Sequence, residues 1–521
     1  MRMNLTPSSG TLQATLSRSW ALVLGVALIQ GACSSRDQLF PELEPEAFVS
    51  PSSSEAWAPS HNVGYEPGRV APVGHQRGES TAMSGPQSLM QLVALALEIN
   101  PQTRASWENA RAAAARYGSV RGLWYPTFSL AAGLGFDNVL FPVGDDSVID
   151  IQMFSVMPMA ELNYVLLDFG RRSSADAQAR YTLWVANLSF NRQIQETIYK
   201  VQKTYFDLDA ANGLYEASLR ELELAITVVD AVEDRLSVGL ATAPELLFAR
   251  QELAQAEFDV QARIAGIDDA KSALLVAIGL PAVVPIEIES LTDLPLPEQL
   301  EFKVDEAIRV ALEDRPDLAG AVANLRAAEA GVKAAEVDFY PTISFSGNVA
   351  WEQFLSHTSK DRGEPDTVQY GAPVYNVGIT GSWILFEGFA LRNNLREARA
   401  LRRQAQAELE TLRIQAIGEV WDSYNDYLAA RRQYDFGVAL VESSRESYDA
   451  MLASYEVGLA TIQELVASEK DLAAALATLV ETRAFLLTSS ARVSFAIGSG
   501  MGEAPDASPR SDSRLSQVVA Q

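Results

Sequence analysis

The chain has 521 residues, a formal net charge of −26 and 48% hydrophobic residues. So acidic a chain is a poor partner for nucleic acid, because phosphate binding requires a basic patch. One cysteine and three widely spaced histidines exclude an internal disulfide framework and disfavour a metal or catalytic centre built on Cys or His. The sequence has no phosphate-binding loop and no nucleotide fingerprint, so it predicts no cofactor and no bound metal.

Residues 1–32 have the features of a signal peptide. Two arginines precede the apolar run 20–29, which has the length of a signal-peptide core and is too short to span a bilayer. Small residues then precede Cys33, and this pattern resembles a bacterial lipoprotein signal, in which the cysteine is lipidated with palmitate and becomes the first residue. Gln30 departs from the lipoprotein pattern, where an aliphatic residue is usual. A plain secretory signal cut near Ala32 is the alternative.

The segments next to the two ends of the chain have little core of their own. Residues 33–87 are rich in Pro, Ser, Gly and Glu, and we expect an N-terminal lipid anchor followed by an extended tether. Residues 501–521 are expected to form a flexible tail. No stretch after the signal peptide is expected to be long and apolar enough for a transmembrane helix, so a membrane role requires a barrel or a lipid anchor.

The central part of the chain is a tandem duplication. A five-residue motif occurs twice, 219 residues apart, first as Val238, Gly239, Leu240, Ala241 and Thr242, and again as Val457, Gly458, Leu459, Ala460 and Thr461. Such internal similarity indicates one architecture built twice. We assign residues 88–280 to the first repeat, 281–302 to a Pro- and Leu-rich linker, and 303–500 to the second repeat.

Each repeat contains two predicted membrane strands. After a Tyr-Pro-Thr motif, apolar residues alternate with small or polar ones over 127–136 and again over 342–351. Period two over about ten residues is typical of a membrane barrel strand. The return strands are predicted at 156–166 and 375–385, with polar outer loops at 137–154 and 352–373. A soluble antiparallel sheet covered on one face is the alternative, and four strands cannot close a barrel without an oligomer.

Long helices follow the strands. Residues 171–238 contain no proline, and 391–457 repeat the pattern. At 1.5 Å per residue each helix reaches about 100 Å, which implies coiled-coil packing. Each helix is predicted to turn at the duplicated motif and to return, through 244–278 and 462–497. In the turns, the glycines suit a left-handed position and the threonines suit N-caps of the returning helices.

Helix capping does not explain why the apolar residues of the motif are duplicated as well, since an exposed turn has no need of them. We therefore expect both turns to dock to another protein. Glu245 and Glu464 stand three residues after the threonines and complete a capping box. In a ring of hairpins the same carboxylates would also surround an aperture and favour cations. Both roles stay open for these two glutamates.

The duplication, the Tyr-Pro-Thr motifs, the Asp-Phe-Gly and Glu-Gly-Phe turns and the two five-residue motifs together resemble the outer-membrane efflux protein family, the TolC-like channels, over about residues 88–500. The resemblance implies a mainly helical homotrimer with a 12-stranded membrane β-barrel and a periplasmic helical tunnel. It further implies that the turns meet a periplasmic adaptor. Some relatives carry an arginine within the turn that locks the closed state; here Ala241 and Ala460 occupy that stretch, so no charged lock is expected there.

The leading hypothesis is therefore a passive exit duct of a tripartite efflux or type I secretion system. The duct would lie in the outer membrane of a Gram-negative bacterium, in contact with outer-membrane lipid, and work with an adaptor and an inner-membrane pump. The alternative is an anchored periplasmic coiled coil without a pore. An enzyme using paired carboxylates such as Asp207 and Asp426 is disfavoured, because both lie on long helices without a glycine loop or histidine nearby.

Overall fold

The computed structural model describes residues 52, 54–55, 85–142, 148–291, 296, 303–360 and 366–498. The predicted signal peptide, Cys33, most of the tether and the C-terminal tail lie outside the described residues. Helices and strands in the described part take the following bounds: α1 Leu89–Ile99, α2 Pro101–Arg121, β1 Thr127–Pro142, β2 Val148–Leu167, α3 Arg171–Ser237, α4 Ala243–Ile278, α5 Val304–Asp314, α6 Pro316–Val337, β3 Thr342–Lys360, β4 Asp366–Ser382, α7 Ala390–Glu456 and α8 Ile462–Ile497.

The element lengths repeat almost residue for residue. Helices α3 and α7 each have 67 residues, and helices α4 and α8 each have 36. The predicted long helices and their returns are thus confirmed to within two residues at every end. At 1.5 Å per residue α3 and α7 are about 100 Å long.

The four strands form one antiparallel sheet in the order β1-β2-β3-β4. The register aligns apolar residues in rows across the sheet, since Phe128 pairs with Leu162, Leu162 with Gly347, and Gly347 with Val377. Phe128 and Val377 are each 68% exposed. Within the described residues these apolar side chains face outward with no helix packed over them, which is what a lipid-facing barrel wall requires.

The strands are longer than the sequence predicted, except that β4 ends at Ser382 and not at residue 385. Most of the expected outer loops at 137–154 and 352–373 is strand, since β1 extends to Pro142, β2 begins at Val148, β3 extends to Lys360 and β4 begins at Asp366. The sequence did not predict these longer strands, because residues 137–154 and 352–373 are polar and show no alternation. Strand pairing continues there beyond the region where one face must be apolar. The paired backbones of Asn138 with Gln152 and of Glu352 with Ala372 show that the ladder is unbroken there.

The sheet joins the long helices through two tight turns. Phe169 and Phe389 both adopt a positive φ, 52° and 67°. In the first turn Asp168 secures the start of α3, since its Oδ2 accepts hydrogen bonds from the backbone N of Arg172 at 3.0 Å and from that residue's Nε at 2.7 Å. The arginine also lies over the ring of Trp124. The Asp-Phe-Gly motif therefore fixes the direction in which the helix leaves the sheet.

The helices lie side by side in a single layer. Nearer the sheet, α2 contacts α3, α3 contacts α6, and α6 contacts α7; farther away, α4 and α8 take the places of α2 and α6 beside the two long helices. The buried side chains of α7 recur at alternating intervals of four and three, at Ala416, Val420, Ser423, Tyr427 and Ala430. This is the spacing of a coiled-coil seam. Each long helix therefore buries narrow strips rather than a whole face.

One expectation about the helices was wrong. In the described part of the chain, α8 is long and apolar enough to cross a membrane by length and composition. Its buried residues, among them Leu465, Leu472 and Leu486, serve packing, because α8 contacts both α7 and α3 along the hairpin. A helix with a neighbour on either side needs apolar residues on more than one face.

Near the middle of the long helices, a buried arginine links helices of the second repeat to one another. Arg315, at the α5–α6 junction, is only 2% exposed. Its guanidinium donates to Asp317 at 2.7 Å and 3.1 Å, to Glu419 of α7 at 2.7 Å, and to the carbonyl of Ala496 at the end of α8 at 3.2 Å. One side chain thus connects three helical segments.

We predict that Arg315→Met lowers the free energy of unfolding by about 3 kcal/mol, because half-buried Asp317 loses its hydrogen-bonded partner and keeps only the longer contact to Arg192, at 3.7 Å. The measurement is the thermal unfolding temperature in detergent. Arg309→Met is the control, since that arginine pairs with Glu306 and Glu313 on an exposed surface. Equal unfolding temperatures for the two variants would contradict the role assigned to Arg315.

Candidate functional site

The two duplicated motifs form the turns at the end of the hairpins farthest from the sheet. We call residues 238–242 the first tip and residues 457–461 the second tip. Gly239 and Gly458 have φ of 77° and 80°, the left-handed conformation expected at these positions. The N–H of Leu240 donates to the carbonyl of Arg235 at 2.7 Å, and that of Leu459 to Ser454 at 2.8 Å, so both long helices end in the same hydrogen-bonded turn.

The predicted capping boxes are confirmed. In the first tip, Glu245 Oε2 accepts a hydrogen bond from the backbone N of Thr242 at 2.6 Å. In the second, Glu464 Oε2 accepts from the backbone N of Thr461 at 2.8 Å, and Thr461 Oγ1 accepts in return from Glu464 N at 3.4 Å. The hydrogen bond from the Thr461 backbone lowers the pKa of Glu464. This glutamate therefore stays ionised at the protein's surface while it caps α8.

The tips present apolar side chains to solvent. Val238 is 68% exposed and Leu240 66%, and in the second tip Val457 is 70% and Leu459 84% exposed. In the described part of the chain, these four side chains belong to no buried core cluster. Clustered exposed apolar residues flanked by polar ones are typical of a surface that another protein covers.

Behind the tips, the two hairpins share one core, which we call the tip core. Helices α3, α4, α7 and α8 all contribute to it, so it holds the first hairpin against the second. Its buried members are Val228, Val229, Val232, Ala249, Tyr448, Tyr455, Ile462, Leu465, Val466 and Leu472. The relative position of the two tips therefore depends on packing within this core.

A charged contact joins the tips as well. The guanidinium of Arg235, in the last turn of α3, donates to the backbone carbonyls of Tyr455 and Glu456 at the end of α7, and to that of Leu240 in its own tip. It also lies 4.7 Å from the centre of the Tyr455 ring. Carbonyls at a helix C-terminus lack partners within the helix and carry partial negative charge, so a cation is favoured there.

Arg235 was not predicted as a site residue. A charged lock was considered only within the tips, where Ala241 and Ala460 stand, whereas Arg235 lies four residues before Gly239. The available clue was an asymmetry between the repeats, because the residue 219 positions later is Ser454. Only the folded hairpins reveal that the arginine of one repeat reaches the helix end of the other.

The carboxylates considered for enzyme chemistry are not brought together. Asp207 accepts a hydrogen bond from Lys203 on its own helix at 2.7 Å, and Asp426 accepts one from Arg492 of α8 at 2.6 Å. Each is part of a separate, half-exposed ion pair on the helical layer. Their arrangement offers no shared site for a substrate.

Comparison with known proteins agrees with this architecture. A family model described as outer membrane efflux protein matches residues 92–280 and 307–499, which are the two repeats. The chain belongs to the outer membrane efflux protein family.

Individual members of the outer membrane efflux protein family resemble the chain over most of its length. Protein CyaE of Bordetella pertussis is 26% identical over 387 residues, covering 74% of this chain and 78% of CyaE. The probable efflux pump outer membrane protein TtgC of Pseudomonas putida is 23% identical over 498 residues, covering 94% and 97%. The crystal structure of the outer membrane protein VceC from Vibrio cholerae superposes with a TM-score of 0.69 at 20% identity, covering 80% of this chain and 97% of VceC.

We predict that Arg235→Ala loosens the contact between the tips, because the carbonyls at the end of α7 lose a charged donor. Amide hydrogen exchange at residues 235–246 and 455–464 should become about tenfold faster, which corresponds to the loss of one charge-assisted hydrogen bond. Hydrogen-exchange mass spectrometry makes the measurement, with Arg250→Ala as the control, because Arg250 forms an exposed ion pair with Glu233. Unchanged exchange at both tips in Arg235→Ala would contradict the assignment.

Proposed function

We propose that the protein is the outer-membrane exit duct of a tripartite efflux or type I secretion machine, and that it works as a homotrimer. The observation that carries this proposal is the open sheet. Among the described strands, β1 and β4 each have one edge without a strand partner, and the apolar side chains lie on one exposed face. Three copies joined edge to edge would pair every strand and form a 12-stranded barrel with that face toward lipid.

The helical layer supports the same assembly. α7 and α2 stand at opposite sides of the layer within one chain, so that α7 of one copy would contact α2 of the next. Closing the sheet therefore also closes the helices into a tunnel about 100 Å long. Such a tunnel is long enough to carry cargo from a pump-bound adaptor to the membrane.

The tips are the proposed contact with a periplasmic adaptor. Val238, Leu240, Val457 and Leu459 are exposed at the end of the tunnel, and burying them against another protein is favourable. The energy for transport would come from an inner-membrane pump, with the duct itself passive. The anchored coiled coil without a pore is the weaker alternative, because it gives no reason for the outward-facing apolar rows of the sheet.

Glu245 and Glu464 are proposed to favour cations at the narrow end. Each copy brings two carboxylates next to the tips, and three copies place all of them around one axis, where their fields add. Capping uses the Oε2 atoms and does not neutralise the charge. The two roles considered from the sequence are therefore compatible.

Purified protein in a planar bilayer should form discrete cation-preferring channels, and Glu245→Gln/Glu464→Gln should weaken the preference by removing charge at the aperture. Reversal potentials in a salt gradient give the measurement. Glu223→Gln/Glu481→Gln is the control, since both glutamates are exposed and lie away from the tips. If cation selectivity is the same in all three proteins, Glu245 and Glu464 act only as helix caps.

Cys33 is the proposed site of lipidation, and a lipid there would anchor the start of the chain in the outer membrane. Cells expressing the protein should incorporate radiolabelled palmitate into it, and Cys33→Ser should abolish the labelling, because no other cysteine is present. Labelling is read by autoradiography after immunoprecipitation. An unlabelled wild-type protein that begins at or near Cys33 would instead favour the plain secretory signal.

A further inference from the structure

A buried acid occupies the junction between the two hairpins. Glu469 lies on α8, one turn beyond Leu465 and Val466, which belong to the tip core. It is only 4% exposed, although a glutamate on a long helix of an acidic protein would ordinarily face water. Its Oε2 is buried and has no hydrogen-bond partner in the described structure. Burying such an atom is costly, so its position calls for a physical explanation.

Every helix around this carboxyl contributes an ionisable group. Glu221 faces it from α3, Glu252 from α4 and Tyr448 from α7, while Lys470 follows it on α8. The Tyr448 hydroxyl is likewise buried and without a hydrogen-bond partner. The next ionisable groups are farther from Glu469. Asp449 lies beside Tyr448, and Asp259 and Arg263 of α4 interact electrostatically with Glu221.

Lys470, the ammonium next to Glu469, does not neutralise the negative charge of the surrounding carboxylates. Lys470 Nζ binds Glu252 Oε2 at 2.6 Å, and the lysine side chain is 54% exposed. Its charge is therefore largely shared with Glu252 and with water, leaving Glu469 and Glu221 without a direct cationic partner. Among the described residues, no group of three acidic, His or Cys side chains is arranged to hold a metal ion that could supply the charge instead.

A proton is the remaining means of neutralising the site. Burial raises the pKa of Glu469 to about 7, and the nearby charges of Glu221 and Glu252 add to this effect. Burial also raises the pKa of Glu221, and it raises that of Tyr448 to about 12. Glu469 is thus protonated in weakly acidic solution and ionised in alkaline solution.

We propose that Glu469 is a proton-controlled switch of the junction between the hairpins: when protonated it lets the tip core pack, and when ionised it drives the two tips apart. Charge at this point must be solvated, and water reaches it only if α8 moves away from α3 and α4. The consequence for opening of the tunnel rests on the proposed channel function, whereas the switch in packing does not.

The direction of the effect follows from proton linkage. The pKa of Glu469 in the packed junction lies above the value for an exposed glutamate, so the packed form holds more protons between pH 4.5 and 7. Packing is therefore fully stable below this window, and loses stability as the pH rises through it. Relative to pH 6, opening at pH 8 should be favoured about tenfold.

Hydrogen-exchange mass spectrometry between pH 6 and 8, corrected for intrinsic exchange rates, tests the switch directly. In the wild-type protein, protection at residues 224–232 and 462–472 should fall about tenfold. Glu469→Gln, which mimics the protonated acid, should keep its protection at both pH values. Glu481→Gln is the matched control on the same helix, since Glu481 is exposed, and it should behave as wild type.

A second variant distinguishes titration of Glu469 from a folding defect caused by Glu469→Gln. Glu221→Gln removes a like charge beside Glu469 while leaving the acid itself, and should move the midpoint of the wild-type transition to lower pH. A wild-type protein whose corrected protection is independent of pH would overturn the proposal, and so would a pH dependence that survives in Glu469→Gln. Neither result depends on whether the protein conducts.

Channel recordings then test the step from packing to opening. The open fraction of wild-type channels should rise between pH 6 and 8, and that of Glu469→Gln should stay low throughout. If exchange follows the expected pattern while conductance is unaffected by Glu469→Gln, the claim that this junction opens the tunnel is overturned. Absence of channels in every variant, with the exchange transition intact, would count against the proposed function and not against the switch.

Discussion

The central constraint on this protein is an unfinished β-sheet. Backbone N–H and C=O groups in a lipid environment must all be hydrogen-bonded, and β1 and β4 have free edges within one chain. The outward rows that include Phe128 and Val377 need lipid, yet the sheet is too narrow to curl into a barrel by itself. Pairing with further copies resolves both problems together. The sheet also determines where the long helices lie, because each of them leaves the sheet through a tight turn.

The long helices are consistent with such an assembly. A 67-residue helix that buries only narrow strips, such as the seam of α7 from Ala416 to Ala430, gains little stability alone and depends on its neighbours. The ends are specified locally instead, through glycines in the left-handed conformation and threonine–glutamate capping boxes. The residues that position the helices against one another are thus different from the residues that end each helix. This division explains why both tips share the same glycine and the same threonine.

Features that depend on nearby sequence could be predicted. The duplicated motif identified Gly239 and Gly458 as the helix ends, and the capping boxes of Glu245 and Glu464 were confirmed, because a turn and its cap lie within a few residues of one another. Helix lengths followed from the absence of proline. Strand lengths did not, since the ladder extends into polar sequence where alternation no longer marks it.

Contacts between the repeats could not be predicted in the same way. Arg235 binds carbonyls 220 residues later in the chain, and Glu469 is buried only because α3, α4 and α7 surround it. Neither residue carries a local pattern that distinguishes it from the many exposed charges of an acidic protein. The apolar character of α8 likewise became interpretable only once its two neighbouring helices were known.

The most direct test of this account is the number of chains in the assembly. Native mass spectrometry of the protein released from detergent micelles would measure it. A 12-stranded barrel built from four-stranded sheets predicts a particle of three copies that stays intact in detergent. A stable monomer with all four strands folded would contradict the account, because its two sheet edges would then have no partner.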